Sequence, residues 1–242
     1  MGKDLPSIGA KPSHRDRRDA QAAGNQIGEP VEDPGGEFGD GSVIAKDWRL
    51  RDSIIGEVIK QTGEECWAIG LTRLHQAVYN INHQHPKDFL YEDLVQHLKF
   101  DKKAKKPKPY LAIGNIKDAL KHMKNVGFLK KKVSGRTKAG SKIGNKETGE
   151  FTTVINAPVD FVKTMVDASP VGIVFELCPG FYRLAKGIYT VRGESMTSEK
   201  ARRERHMLLI VGYGYTKEGE MFFLVQNSWG KIGVCRVMDE SS

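Results

Sequence analysis

The sequence predicts an α+β fold in which helices come first along the chain and strands follow. Apolar residues recur at helical spacing in the first half, whereas short apolar runs of strand length fill the second half. Two of these runs, residues 207–213 and 221–226, are joined by a short connection that contains glycine, which predicts a β-hairpin. Segregation of helices and strands along the chain is typical of domains with a helical part and a separate β-rich part.

The two ends of the chain differ in composition from its centre. Residues 1–42 are rich in Gly, Pro and charged residues and hold few large apolar side chains. Burial cannot offset the entropy of ordering such a segment, so we expect a disordered polar tail. The folded domain is expected over residues 43–238, with a helical lobe at about 55–133, a β-rich lobe at about 150–238 and a short tail at 239–242.

Four segments of the domain have helical character. Apolar residues three or four positions apart, together with acidic residues before the first turn and Gly127 as a C-cap after the third helix, support this interpretation. Helices are predicted over residues 65–81, 91–98, 116–125 and 160–166. Besides the hairpin, strands are predicted over residues 151–155, 171–177 and 187–191.

Charge and cysteine content limit the classes of function. The net charge of +8 is concentrated in lysine runs within residues 102–108 and 121–132, which a solvated face or a loop also explains. Only Phe100 and Tyr110 lie near these runs, so base stacking is poorly supported and a nucleic-acid partner is not expected. No apolar run is long enough to cross a bilayer, so no membrane association is expected.

The three cysteines allow at most one disulfide, which favours free thiols in a reducing compartment. No metal site is expected, because no two cysteines are close in sequence and no histidine pair completes a typical ligand set. His83 and His85 form a His-x-His that could bind a metal, but a plain loop is the preferred interpretation. No cofactor is expected.

Three residues far apart in the sequence combine into a candidate catalytic group. Cys66 lies in the first turn of the first predicted helix, where backbone N–H groups and the helix dipole favour the thiolate. His206 precedes one strand of the hairpin and Asn227 ends the other, so the two should be neighbours. An amide oxygen beside an imidazole fixes its tautomer, and Trp229 can shield that hydrogen bond from water. This is the arrangement of nucleophile, base and orienting residue.

These segments resemble the papain family of cysteine peptidases. The cysteine signature of the family is matched by Cys66-Trp67-Ala68, the histidine strand by residues 206–214, and the asparagine block by residues 225–230. Cys66 and His206 lie 140 residues apart, within the range of about 130–150 that is typical of this arrangement. The resemblance extends in order over roughly residues 44–238, with a weak middle.

The resemblance implies a papain-like two-lobe fold, with a helical left lobe, a β-barrel-like right lobe and the site in the cleft between them. It implies hydrolysis of peptide bonds by a thiolate–imidazolium pair of Cys66 and His206, with Asn227 orienting the histidine. Gln61 is the implied donor of the oxyanion hole, together with the N–H of Cys66. Trp67 and Trp229 have supporting roles. The expected partners are a polypeptide substrate and cystatin-like inhibitors, and a monomer is expected.

Several departures from the family pattern favour an alternative. Gln61 precedes Cys66 by five residues instead of six, and Glu65 replaces a small residue beside the nucleophile, where a carboxylate opposes the thiolate. The Cys-x-Gly-Gly segment that helps to line the family's cleft has no clear counterpart. The alternative is therefore a catalytically impaired papain-like domain that acts as a binding or inhibitor-sequestering module. A nucleic-acid-associated protein using the lysine runs is a third hypothesis.

The compartment is left open by the sequence. We expect a cytoplasmic location, because Met1 to Pro30 has no apolar run typical of a signal peptide and residues 1–42 are too short and polar for an inhibitory prodomain. Members of the family are, by contrast, usually vacuolar, lysosomal or extracellular.

Overall fold

The computed structural model describes residues 6–10, 38–101, 106–107, 116–131, 146–177, 181, 188–190, 204–229 and 232–238. The described helices are α1 (Cys66–Asn82), α2 (Tyr91–Lys99), α3 (Ile116–Asn125) and α4 (Val159–Ala168), and a 3-10 turn spans Trp48–Leu50. Within this described part of the chain, no helix is both long and apolar enough to span a membrane.

Eight of the twelve described strands form one sheet. The strands are β1 (Pro6–Ala10), β2 (Val43–Asp47), β3 (Phe100–Asp101), β4 (Lys106–Pro107), β5 (Phe128–Leu129), β6 (Lys146–Glu147), β7 (Phe151–Ile155), β8 (Val171–Leu177), β9 (Ile188–Thr190), β10 (Glu204–Tyr215), β11 (Met221–Trp229) and β12 (Ile232–Met238). The order in the large sheet is β7-β1-β8-β10-β11-β12-β9, and β2 also pairs with β10. The pairs β3–β4 and β5–β6 form two small separate sheets.

Helices cover both faces of the sheet, which explains the continuous apolar run in its central strand β10. Met207, Leu209 and Val211 belong to a core cluster with α1, α2 and α3. Leu208 and Ile210 point to the opposite face and belong to a second cluster with the 3-10 turn and α4. Because successive side chains of a strand alternate between faces, a strand buried on both faces must be apolar throughout.

The four predicted helices and the five predicted strands are all present, whereas β1–β6 and β12 were not predicted. Helix α3 and strands β7 and β8 have the predicted bounds, and α1 is displaced by one residue. Gly127 ends α3 with a positive φ of 82°, and its N–H donates to the His122 carbonyl at 3.0 Å, as a C-cap does. A side chain at Gly127 would also collide with the Glu147 carbonyl, since an added Cβ would lie 2.4 Å from that oxygen.

The β-rich part of the described chain is not a closed barrel. Over the described residues the strands form an open sheet, whose end strands in the order are β7 and β9. Closure into a barrel requires the first and last strands to pair, and no such pairing occurs within the described strands. The α+β class itself is confirmed, because α1–α3 precede the main run of paired strands.

Part of the predicted disordered tail is ordered. Strand β1 (Pro6–Ala10) lies between β7 and β8 and pairs antiparallel with both. Its partners lie between 141 (Ala10 to Phe151) and 166 (Ser7 to Ile173) residues away, so local composition carries no signal for this pairing. Further along the tail, Asp40 forms an ion pair of 2.6 Å with Arg236, and the Arg236 guanidinium lies 4.0 Å from the Phe38 ring centroid. Residues 11–37 and 239–242 lie outside the described residues.

Candidate active site

The candidate nucleophile Cys66 begins helix α1, as the acidic residues before it predict. Glu65 is the N-cap residue, and its carbonyl accepts hydrogen bonds from the N–H groups of Ala68 and Ile69. The Glu65 side chain makes no capping bond to the helix and instead accepts a hydrogen bond from the Thr62 hydroxyl at 3.3 Å. The N-terminus of α1 is therefore left without a side-chain cap, beside the thiol.

The thiol of Cys66 is almost covered. Its residue is 6% exposed, and the adjoining cavity of about 10 Å³ has room for about one water molecule. Burial raises the pKa of Cys66, whereas backbone hydrogen bonds from Met207, Trp67 and Cys66 itself lower it. The helix N-terminus was expected to favour the thiolate, but desolvation outweighs its N–H groups. The carboxylate that raises the pKa of Cys66 is Glu64, and not Glu65 as expected.

His206 and Asn227 are hydrogen-bonded, so the predicted proximity is confirmed. The His206 Nε2 and Asn227 Oδ1 atoms are 2.8 Å apart, and both residues are 3% exposed. The Ser228 backbone N–H also donates to Asn227 Oδ1 at 2.7 Å. An atom that accepts from a backbone N–H is the amide oxygen, so His206 Nε2 must carry the proton of the shared bond. In the neutral ring this leaves the lone pair on Nδ1.

Trp229 covers this hydrogen-bonded pair. Its ring centroid lies 4.8 Å from that of His206 at an interplanar angle of 35°, and 5.4 Å from the ring centroid of Phe181. Burial lowers the pKa of His206, and the hydrogen bond with Asn227 opposes this effect. Trp67 lies elsewhere: it is 0% exposed and belongs to the core cluster beneath α1.

Gln61 is held against the end of β11, next to Asn227. Its backbone N–H donates to the Ser228 carbonyl at 2.8 Å, and its Oε1 accepts from the Ser228 hydroxyl. Its Nε2 donates to the Gly63 carbonyl at 2.8 Å. The cavity beside the thiol is lined by residues that include Asn227 and Ser228, and Gln61 is not among its described lining residues. The Gln61 side-chain amide, which was expected in the oxyanion hole, therefore lies near the site, but its Nε2 donates a hydrogen bond within its own loop.

Helix α1 approaches the sheet closely at Gly70, one turn after Cys66. A Cβ added at Gly70 would lie 2.8 Å from Cγ of Met207, which is closer than real Cβ contacts. Glycine therefore lets α1 rest on β10 directly beside His206. The contact explains how the thiol reaches the backbone of Met207.

The thiol of Cys66 accepts from the backbone of Met207, the residue after His206, and Cys66 and Asn227 line the same small cavity at the junction of α1 with β10 and β11. Chemically, this set can support attack of sulfur on a carbonyl with proton transfer through the imidazole.

Two residues of the site were not predicted from the sequence. Ser228 acts through its hydroxyl, which bonds Gln61, and Met207 acts through its backbone, which bonds the thiol. Apolar periodicity does not reveal either kind of contact. His83 is not part of the site, since its Nδ1 lies 2.7 Å from the Tyr79 carbonyl of its own helix. Cys178 lies outside the described residues.

Comparisons with known proteins bear on the family and the fold of this chain. Residues 44–234 match the family model for "Papain family cysteine protease". A search of curated proteins by sequence finds no match. The fold is similar to the proform of the Amb a 11 cysteine protease, a major ragweed pollen allergen, with a TM-score of 0.56, 17% identity, and coverage of 93% of this chain and 67% of that chain. It is also similar to the bromelain protease from Ananas comosus in complex with the E64 inhibitor, with a TM-score of 0.56, 18% identity, and coverage of 81% and 89%.

Proposed function

The chain belongs to the papain family of cysteine proteases, and we propose that it hydrolyses peptide bonds with Cys66 as nucleophile, His206 as general base and Asn227 as the orienting residue. One observation carries the proposal: the buried 2.8 Å hydrogen bond between His206 Nε2 and Asn227 Oδ1. It leaves Nδ1 of the neutral ring as the atom that can take a proton.

In the proposed reaction, His206 Nδ1 accepts the thiol proton as Cys66 Sγ attacks the carbonyl carbon of a peptide. The imidazolium then protonates the leaving amine, and the C–N bond breaks to give a thioester. Water attacks the thioester with His206 again as base, which releases the acid and restores the thiol. Trp229 supports this role by keeping water from the His206–Asn227 bond.

The oxyanion of the tetrahedral intermediate needs donors beside Cys66. The N–H of Cys66 is one candidate, and the Gln61 amide is the second. The Ser228 hydroxyl holds Gln61 Oε1, so Gln61 Nε2 can reach the oxyanion if it exchanges its bond to the Gly63 carbonyl for one to the substrate. The expected substrate is a polypeptide, cleaved internally.

The test uses E64, the inhibitor bound in the bromelain structure, and a vinyl sulfone that reacts with activated thiols. We expect one adduct, located on Cys66 by mass spectrometry, with no adduct in Cys66→Ala or His206→Ala. Cys235→Ala is the matched control and should label like the wild-type protein. An adduct on another cysteine, or none on folded wild-type protein, contradicts the proposal.

A second candidate is a papain-like binding module with impaired catalysis, and the burial of the site favours it. Cys66 is 6% exposed, and burial raises the pKa of its thiol while it lowers the pKa of His206, so the two groups favour their neutral forms. This candidate predicts stable binding of a cystatin-like inhibitor by both wild-type and Cys66→Ala protein, with no cleavage of a fluorogenic peptide library by either. Cleavage that Cys66→Ala abolishes excludes it.

A further inference from the structure

Three side chains on α2 and α3 form a polar cluster away from the candidate active site. Asp93 and His97 lie four residues apart on α2, a spacing that places them on one face of the helix. His122 lies on α3, and its ring centroid is 4.4 Å from that of His97. One possible ligand atom from each of the three residues lies within 4.8 Å of the others.

His122 carries the second and independent observation. The residue is 9% exposed, yet its Nε2 atom is buried without a hydrogen-bond partner among the described residues. A buried polar atom without a partner costs free energy, so it needs an explanation. A neutral imidazole keeps a lone pair on one ring nitrogen, which can bind a ligand.

We propose that Asp93, His97 and His122 bind a divalent transition-metal ion of the Zn²⁺ class, which links α2 to α3. Two imidazole nitrogens and one carboxylate oxygen are a donor set for Zn²⁺ and its first-row neighbours, whereas Ca²⁺ and Mg²⁺ prefer oxygen ligands alone. Three protein ligands leave a fourth position for water. The ion satisfies the unpaired nitrogen of His122.

The distances require only a small adjustment. Ligand atoms about 2.1 Å from a tetrahedral ion are about 3.4 Å apart, so atoms within 4.8 Å of one another must close by little more than 1 Å at most. His97 is exposed and can change rotamer to make this closure. His122 is held in the core and Asp93 is half-buried, so they define the fixed side of the site.

Lys146 is the cation that competes with the ion. Its Nζ lies 2.7 Å from Asp93 Oδ2, and the two side chains are 12% and 18% exposed. The bond occupies one carboxylate oxygen, and Oδ1 is available to a metal. Removing this lysine frees the whole carboxylate and removes a repulsive charge, so Lys146→Gln should bind the ion about fivefold more tightly.

The experiment titrates the full chain with Zn²⁺ in a Cys66→Ala background, which excludes binding at the candidate active site. We expect one equivalent of Zn²⁺ per chain, and a loss of affinity of at least about 10²-fold in His97→Ala and His122→Ala. His85→Ala, which removes an exposed histidine outside the cluster, is the matched control and should bind normally. His97 is exposed, so its variant keeps the test valid if His122→Ala does not fold.

Co²⁺ provides a spectroscopic reading of the same site. Four-coordinate Co²⁺ with nitrogen and oxygen ligands absorbs visible light strongly and shows no near-ultraviolet thiolate band. The proposal also expects Zn²⁺ to raise the Tm of the Cys66→Ala chain but not of its His97→Ala derivative. No saturable binding, binding that survives His97→Ala unchanged, or a thiolate band overturns it.

Discussion

Helix α1 and the strand pair β10–β11 supply the candidate catalytic residues by different physical means. On the strand pair, His206 and Asn227 are joined directly by a 2.8 Å hydrogen bond and are fixed by the antiparallel register of their strands. On α1, Cys66 is positioned by close packing at Gly70 against Met207 and by backbone hydrogen bonds to its sulfur. His206 and Asn227 are therefore positioned by their hydrogen bond, whereas Cys66 depends on the packing of α1 against β10.

Because of this difference, mutations can change the orientation of the imidazole and the sulfur–imidazole distance separately. Changes at the strand pair should alter how the imidazole is oriented, with little change in the position of the thiol. Changes at the contact of α1 with β10 should alter the separation of sulfur and imidazole, with the His206–Asn227 bond intact. The following predictions use this separation, from the largest expected effect to the smallest.

Asn227→Ala should have the largest effect on reactivity. Without the amide oxygen the His206 ring loses its fixed tautomer, so the rate of Cys66 alkylation by a vinyl sulfone should fall about 10²-fold, equivalent to about 3 kcal/mol. The rate should be measured across pH, because a misoriented base also changes the shape of the profile. Asn82→Ala, at an exposed position at the end of α1, is the control. An unchanged rate in Asn227→Ala would show that Asn227 does not orient the histidine.

Gly70→Val should displace Cys66, because the position of Cys66 depends on the packing of α1 against β10. A side chain at this position collides with the Met207 side chain, so Met207 or α1 must shift, at a cost of about 2 kcal/mol in the free energy of unfolding. Urea denaturation measures this loss, and the alkylation rate should fall as well. Gly63→Val tests the specificity of the effect, because a Cβ at Gly63 meets nothing within 4 Å. Equal stability of the two variants would contradict the packing argument.

His75→Phe should remove part of the acid sensitivity of the helical side. His75 is 4% exposed among aromatic rings, and burial, with His83 and Lys130 nearby, lowers its pKa from 6.5 to about 4. The unfolded chain therefore binds a proton between these two values that the folded chain does not bind, so stability is lost as the pH falls through this window. From pH 7 to pH 5 the loss is about 2 kcal/mol in unfolding free energy.

The measurement for His75→Phe is urea denaturation at both pH values. The variant should lose about 2 kcal/mol less than the wild-type protein between them. His85→Phe, at an exposed position that is not among the causes of this shift, is the matched control. The same pH dependence in wild-type and His75→Phe protein would show that His75 is not the buried neutral group.

Ser228→Ala should have the smallest effect, because it removes one link between Gln61 and the strand pair. The hydroxyl bond to Gln61 Oε1 is lost, whereas the backbone bond between these residues remains. We expect a loss of about 1 kcal/mol in unfolding free energy and a slower alkylation of Cys66 if Gln61 contributes to the oxyanion hole. Thr152→Ala, which removes an exposed hydroxyl on β7, is the control. A faster reaction would indicate that Ser228 holds Gln61 away from the thiol.

Local pattern predicted the elements that position the site. The apolar spacing in residues 65–81 predicted α1 within one residue, and the hairpin pattern predicted that His206 and Asn227 are neighbours. These features depend on residues close in sequence, or on strands joined by a short turn, where register is set locally. The β1 pairing, the open edge of the sheet and the cluster of Asp93, His97 and His122 were missed.

The sequence by itself determined the positions of the four helices, of β7 to β11 and of their apolar faces, and the family to which the chain belongs. Only the tertiary structure decided the protonation preference of Cys66, the partners of Gln61 and the meeting of His97 with His122. The physical reason is that periodicity reports the burial of one face of one element. Desolvation and side-chain pairing, in contrast, depend on which distant elements pack against that face.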